Sequence, residues 1–464
     1  MGPMLRSSGR LADVTVLITL VAVVSGCTQP VPGRPVAGEG VTRGTVDTSF
    51  IRGADGSPID QLAAAAITDV EQFWKSAFPE TFGQDWKELA GGYYSVDTSS
   101  QSAKPPPCTE KALDVEGNAF YCPSADAIAW DRAALLPVLQ DSFGDSAVVI
   151  VLAHEMGHAV QRRMGITQEL ERRQPERYPT ILTEAMADCY AGNFLKWVND
   201  GQAEHLSIGT ESLDSALGAL ITFRDPVGTS AADRSAHGNA FDRVSAFQDG
   251  YQQGTKFCAA MTVDNRPFTQ QSFTTAADQS RGGNLPFADM LDSVLPDLDA
   301  YYQAAVQQAG GRWVAPRITT VEQEPDCAGD QGPIAFCPAD AAVEIDVNEE
   351  LPKLHARIGD YATGTLLASR YGLAALAATG RPVAGDGAAE NALCLAGAYT
   401  REVFTRQQGF GLSPGDLDEA VQVLLAHDYA GRDAEGGAAV GPGFKRVEVF
   451  RTGVLEGLSK CGIA

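Results

Sequence analysis

His154-Glu155-Met-Gly-His158 is the part of this chain best equipped for chemistry. Residues four apart on a helix share a face, so the two imidazoles can reach one metal ion while Glu155 points to the adjoining sector. The flanking sequence supplies the helix. From Asp145 the chain runs through the apolar stretch 148–153 and closes on Gly165, as a buried helix with a glycine stop does. A tetrahedral zinc ion that keeps one position open needs a third protein ligand. Glu184 offers it from a second helix-like stretch, 182–192, in which Asp188 follows four residues later. From there Asp188 can hold the outer nitrogen of a ligand histidine. On their own Glu184 and Asp188 would read as a solvated helix face; behind a His-Glu-x-x-His helix they read as ligand and outer partner. A metzincin site would need glycine and histidine three and six residues past His158, and those positions hold Gln161 and Met164.

One zinc ion per chain is therefore expected, held by His154, His158 and Glu184. Zinc in such a set lowers the pKa of a bound water toward about 7. Glu155 is placed to take that water's proton and return it to the leaving amine of a cleaved peptide. His205, His355 and His427 have no partners at ligand spacing and read as surface or packing histidines.

The motifs together resemble a known family. His154-Glu-Met-Gly-His-Ala-Val-Gln161, then Glu184 to Gly192, then His237-Gly238 with Arg243, Phe247, Gly250-Tyr251 and Cys258 are similar to the neutral zinc metallopeptidases of bacteria, including actinobacterial lipoprotein peptidases. The likeness covers roughly residues 60 to 260. It implies a zincin-like domain: a small sheet whose edge strand, Ala127 to Asp131, lies over the active-site helix, with further helices behind. Likeness to gluzincins, which use a downstream histidine to stabilise the tetrahedral intermediate, implies that role for His237. An ordinary loop histidine is the other reading of that residue.

The chain also contains a second version of its own sequence. The stretch from Leu136 to Gly165 matches that from Leu351 to Gly380, a constant offset of 215, and Arg243, Val244, Phe247, Gly250, Gly254 and Cys258 match Arg446, Val447, Phe450, Gly453, Gly457 and Cys461. Two tandem copies of one domain of about 200 residues, joined by a polar linker, account for this. The fold class expected is thus α+β, mainly helical, with two zincin-like domains from an internal duplication. The divisions are a signal peptide at 1–27, a flexible linker at 28–55, a catalytic domain at 56–265, a linker at 266–284 and a degenerate repeat at 285–464. In the repeat, His154, Glu155 and His158 become Ser369, Arg370 and Leu373, and Glu184 and Asp188 become Ala389 and Leu393. It should bind no zinc at an equivalent site; packing on the catalytic copy or recognition of a protein partner is left to it. The duplication also pairs the cysteines: Cys108 with Cys122, Cys189 with Cys258, Cys327 with Cys337, and Cys394 with Cys461.

The ninth cysteine, Cys27, follows an apolar run and Ser25-Gly26, which resembles a bacterial lipobox and predicts acylation there. The chain is then expected on the outer face of the cytoplasmic membrane, tethered by lipid, where disulfides persist. A formal net charge of -24 argues against nucleic acid as a partner. The function expected is a zinc-dependent peptidase acting on peptides or proteins outside the cytoplasmic membrane. The alternatives are a lipid-anchored binding or scaffold protein with a latent metal site, and an amidase of cell-wall peptides.

Overall fold

The computed structural model describes residues 41–463 except 43, 235, 328 and 407. Cys27 and the apolar run before it lie outside the described residues, among which no helix is long and apolar enough to cross a membrane. The chain is mainly helical with two small sheets. Its first half comprises β1 (Ile51–Arg52), α1 (Pro58–Phe82), β2 (Gly92–Val96), β3 (Ala119–Cys122), β4 (Ala127–Asp131), α2 (Leu135–Phe143), α3 (Asp145–Arg163), α4 (Gln168–Arg173), α5 (Thr180–Asn199), α6 (Leu213–Thr222), α7 (Ala240–Gln253) and α8 (Thr255–Ala259). After a short α9 (Ala276–Ser280) come α10 (Phe287–Gln308), β5 (Arg317–Val321), β6 (Ile334–Cys337), β7 (Ala342–Asp346), α11 (Glu350–Arg357), α12 (Asp360–Ala378), α13 (Asp386–Thr405), α14 (Asp416–Ala426) and α15 (Gly443–Glu456).

The first sheet runs β1-β2-β4-β3, with β3 antiparallel to β4 and the other pairs parallel. The second runs β5-β7-β6 with the same senses. Strand β4, expected as the edge, is instead flanked on both sides, and the edge facing the active-site helix is β3. All five residues of β4 are buried, and a buried strand satisfies its peptide groups on both sides only with two neighbours. Of the flexible linker expected at 28–55, residues 28–40 lie outside the described residues, and the part from Val41 on is held to the fold. Val41 is buried and its N–H donates to Asp145, and β1 pairs with β2. Nor is 266–284 loose: the Arg266 guanidinium pairs with Asp249 at 2.6 Å, and Thr269 N–H donates to Asp242.

The metal-motif helix α3 owes its limits to local chemistry. Asp145 stands in its first turn and Arg162 and Arg163 in its last, each sign opposing the helix dipole. Gly165, at φ 99°, ends the run in a conformation that side-chain-bearing residues avoid. Midway along α3, a Cβ on Gly157 would stand 2.8 Å from the Ala187 Cα of α5, so glycine is what lets the two helices close. In the second half a Cβ on Gly372 of α12 would stand 2.8 Å from the Ala392 carbonyl of α13. A glycine thus serves helix packing also in the half that lacks the histidines.

In that half the residues expected at the positions of the zinc ligands and the base are buried. Leu373, Ala389 and Leu393 are wholly buried, and Arg370, 1% exposed, donates to Gln331 Oε1 at 2.9 Å and to the carbonyls of Arg432 and Tyr429. The four disulfides link Cys108–Cys122, Cys189–Cys258, Cys327–Cys337 and Cys394–Cys461, none crossing between halves.

The halves meet through a reciprocal contact. Asp418 of α14 accepts the N–H groups of Ala240 and Phe241 that open α7. Asp214 of α6 accepts those of Gly443 and Phe444 that open α15. Each half therefore caps a helix of the other, satisfying backbone donors that a helix start leaves open. An exchange of equivalent contacts is what a two-fold interface between like subunits produces.

Candidate active site

Helices α3 and α5 bring the predicted ligands together. His154 Nε2 stands 3.2 Å from Glu184 Oε2, and His158 Nε2 stands 3.5 Å from Glu184 Oε1. Each imidazole is oriented from behind. His154 Nδ1–H donates to Asp188 Oδ1 at 2.7 Å, and His158 Nδ1–H donates to Gln161 Oε1 at 3.1 Å. Gln161 is itself fixed on the Thr183 carbonyl. With both Nδ1 atoms held from behind, both Nε2 atoms point toward the glutamate.

This arrangement fits zinc on its own evidence. Glu184 Oε2 is buried and finds no partner but His154 Nε2 at 3.2 Å, so a cation, either a proton or a metal ion, must lie between the two. Nitrogen and oxygen ligands at zinc distances and a tetrahedral angle stand about 3.4 Å apart, and the separations above bracket that value. His154, His158 and Glu184 are the residues that would hold the ion.

Charge organises the surroundings. Burial by itself would raise the Glu184 carboxyl; the imidazoles of His158 and His154, with His237 further off, outweigh it and hold the group well below the usual range. Burial would depress His154, but the Asp188 and Glu184 carboxylates lift it to about 10. Asp188 is held down against burial by Arg243, whose guanidinium donates to both its oxygens at 2.9 Å. Asp188→Asn, which keeps the shape and loses the charge, is expected to weaken zinc binding about 10- to 100-fold in competition with a chromophoric chelator. Unchanged affinity would deny Asp188 that role.

Glu155 lies on the far side of the metal set. Its Oε2 accepts the Tyr121 N–H of β3 at 2.8 Å, and burial, ahead of every other influence, raises its pKa. In an antiparallel ladder alternate residues turn their peptide groups away from the partner strand. Asn118 gives its carbonyl to Asp131 of the adjoining strand, so Ala119 and Tyr121 face outward. They border a cavity of about 390 Å³ that also contains His154, Glu155, His158 and His237.

His237 reaches this cavity from the loop before α7, its side chain 53% exposed. Asp225 Oδ2 accepts its backbone N–H at 2.9 Å, and Asp225 Oδ1 lies 3.4 Å from its Nδ1. That contact raises the imidazole's pKa. The other histidines lie elsewhere: His205 against Asp69, His355 on the Leu285 carbonyl, and His427 stacked on Tyr429. Reading the residues alone did not single out Asp225 or Tyr121. An aspartate twelve residues before a histidine carries no spacing signal, and a backbone N–H leaves no mark on a sequence. Arg243 and Asp188 were both visible within the motifs, but their pairing was not.

The sequence pattern of the family described as "Putative neutral zinc metallopeptidase" matches residues 2–262, the half that carries this site. The chain is similar to Uncharacterized protein Rv2575 of Mycobacterium tuberculosis, 26% identical over 220 residues, which cover 44% of this chain and 70% of that protein. It is also similar to Uncharacterized protein YpfJ of Escherichia coli strain K12, 29% identical over 150 residues, 29% of this chain and 50% of that one. No solved structure matches it. With a family match across more than half its length, centred on a site built for zinc, the chain belongs to this neutral zinc metallopeptidase family.

Proposed function

We propose that the protein is a zinc-dependent endopeptidase that binds an extended segment of its substrate along β3 and cleaves it between Glu155 and His237. The observation that carries this reading is the pairing of a ligand set with an outer strand edge: His154, His158 and Glu184 line the same cavity as Ala119 and Tyr121 of β3, whose outward N–H at Tyr121 is held by Glu155. An exposed edge accepts an extended peptide by main-chain hydrogen bonds, largely without regard to its side chains.

A zinc ion at this site would supply Lewis acidity, polarising the scissile carbonyl and making water a nucleophile at neutral pH. Glu155, oriented by the Tyr121 N–H and raised in pKa by burial, receives the proton of the attacking water and delivers it to the amine as the C–N bond breaks. His237, kept protonated to higher pH by Asp225, stabilises negative charge developing on the carbonyl oxygen. His237→Ala is expected to lower kcat about 100- to 1,000-fold with a small change in KM. Turnover within a few-fold of the wild type would remove the residue from the reaction.

The reading places the enzyme outside the cytoplasmic membrane, tethered through acylated Cys27, with the second half as a non-catalytic repeat of the first. The shared element order and the reciprocal caps support the last point. The functional test is cleavage of a diverse peptide library by the form beginning after Cys27, with zinc removed and then restored. Cleavage that is lost and regained with the metal is expected; silence from zinc-loaded protein would favour a binding protein.

A further inference from the structure

The second half contains a group of acids that catalysis does not use. Asp360 opens α12, Asp416 opens α14, and Glu419 follows in the same turn of α14. They are 3%, 3% and 6% exposed, and one carboxylate oxygen from each lies within 4.8 Å of the others. Backbone donors account for part of their bonding. Asp360 Oδ2 accepts the Leu285 N–H at 2.7 Å, Asp416 Oδ2 accepts the Ser413 N–H at 2.8 Å, and Glu419 Oε2 accepts the Tyr361 N–H at 2.8 Å. Asp360 Oδ1 and Asp416 Oδ1 remain, both sealed from solvent and both without a partner.

Among the described residues no basic side chain forms an ion pair with these three acids. The arginines nearby are engaged with other acids, Arg281 with Asp278 and Arg224 with Asp418. Burial, followed by mutual repulsion, pushes the carboxyls of Asp416 and Glu419 far above their usual range, with Asp278 adding to the effect on Asp416, and burial lifts Asp360 to about 6. Buried carboxylates without a counter-charge are strongly unfavourable, and two orphaned acceptors in the same cluster call for a ligand that is all positive charge. Asp360 and Asp416 also border a cavity of about 450 Å³, which gives an ion a way in.

We propose that Asp360, Asp416 and Glu419 bind a hard divalent cation, calcium, in the half that has lost the zinc ligands. The donors are all oxygen, which disfavours zinc. They come from two helix starts already anchored on loop N–H groups, an irregular set that calcium tolerates and magnesium, with its demand for a regular octahedron, does not. The ion would also act on the interface. Asp418, between Asp416 and Glu419 in sequence, caps α7 at 2.8 Å from the Ala240 N–H, so fixing the start of α14 fixes its grip on the catalytic half.

The experiment uses the zinc-loaded full chain, with calcium and zinc counted separately after equilibration in calcium at about 1 mM. Terbium serves as a luminescent substitute, excited through Tyr361, the neighbour of Asp360. One calcium beside one zinc, terbium emission quenched by calcium, and a melting temperature several degrees higher with calcium are expected. Asp416→Asn should lose the calcium, the emission and the shift while keeping its zinc; should that variant not fold, Glu419→Gln carries the same expectation. The proposal is overturned if the wild type binds neither calcium nor terbium, or if the amide variants melt higher than wild type regardless of calcium, since the cluster then holds protons instead.

Discussion

Glu155→Gln is expected to lower kcat about 1,000-fold while leaving the zinc content of the protein unchanged. The amide has the shape of the acid, and its oxygen can still accept the Tyr121 N–H that holds Glu155 Oε2 at 2.8 Å. What disappears is the ability to take a proton from water and give it to the leaving amine. KM should move little, because the strand edge proposed to bind substrate is untouched. Stability carries a second signature. Burial raises the Glu155 pKa in the folded state, so the folded protein holds this proton more tightly than the unfolded chain does. That contribution is present in full below the unfolded glutamate pKa, about 4.3, and is lost as pH rises through the folded value. The amide does not titrate, so the zinc-free variant should melt at least as high as zinc-free wild type at pH 7. A variant that turned over within tenfold of the wild type would mean that another group is the base.

The second large effect concerns architecture. Gly250→Ala should destabilise the first half by about 3 kcal/mol or more, seen as a lower melting temperature. Helix α7 crosses α5 so closely that a Cβ at Gly250 would stand 1.7 Å from the Cys189 carbonyl oxygen, and one at Gly192 would stand 2.0 Å from that of Phe247. Backbone cannot yield as a side-chain tip can, and the Cys189–Cys258 disulfide ties α5 to α8, which follows α7 directly. Parting α5 from α7 also draws Arg243 away from Asp188, so zinc affinity should fall with stability. The second half repeats the contact: a Cβ on Gly453 would lie 2.0 Å from the Cys394 carbonyl, and one on Gly397 would lie 2.0 Å from that of Phe450. Gly453→Ala should therefore lower stability to a like degree and leave zinc affinity alone. Wild-type melting of Gly250→Ala would show that the helices can part without cost.

The parts of the site legible in the sequence are those that repeat at helical spacing. His154 and His158 share a face because they stand four apart, as do Glu184 and Asp188, so ligand and outer partner could be named before any geometry. Disulfide pairing was legible because Cys189 and Cys394 recur with Cys258 and Cys461, and a repeated order excludes most pairings. The sheet was less so. Two adjacent strands of similar length, Ala119–Cys122 and Ala127–Asp131, differ in which one has two neighbours, and neighbour count is a property of the fold. The interface was not legible at all. Asp214 and Asp418 are ordinary aspartates in the sequence and become mutual helix caps only once the halves meet.

The most direct measurement is anomalous X-ray scattering at the zinc edge from crystals of zinc-loaded protein. One peak per chain is predicted, bounded by His154 Nε2, His158 Nε2 and the Glu184 carboxylate, with none beside Ser369 and Leu373. A first half without a peak, or zinc bound with Glu184 outside its coordination, would contradict the account.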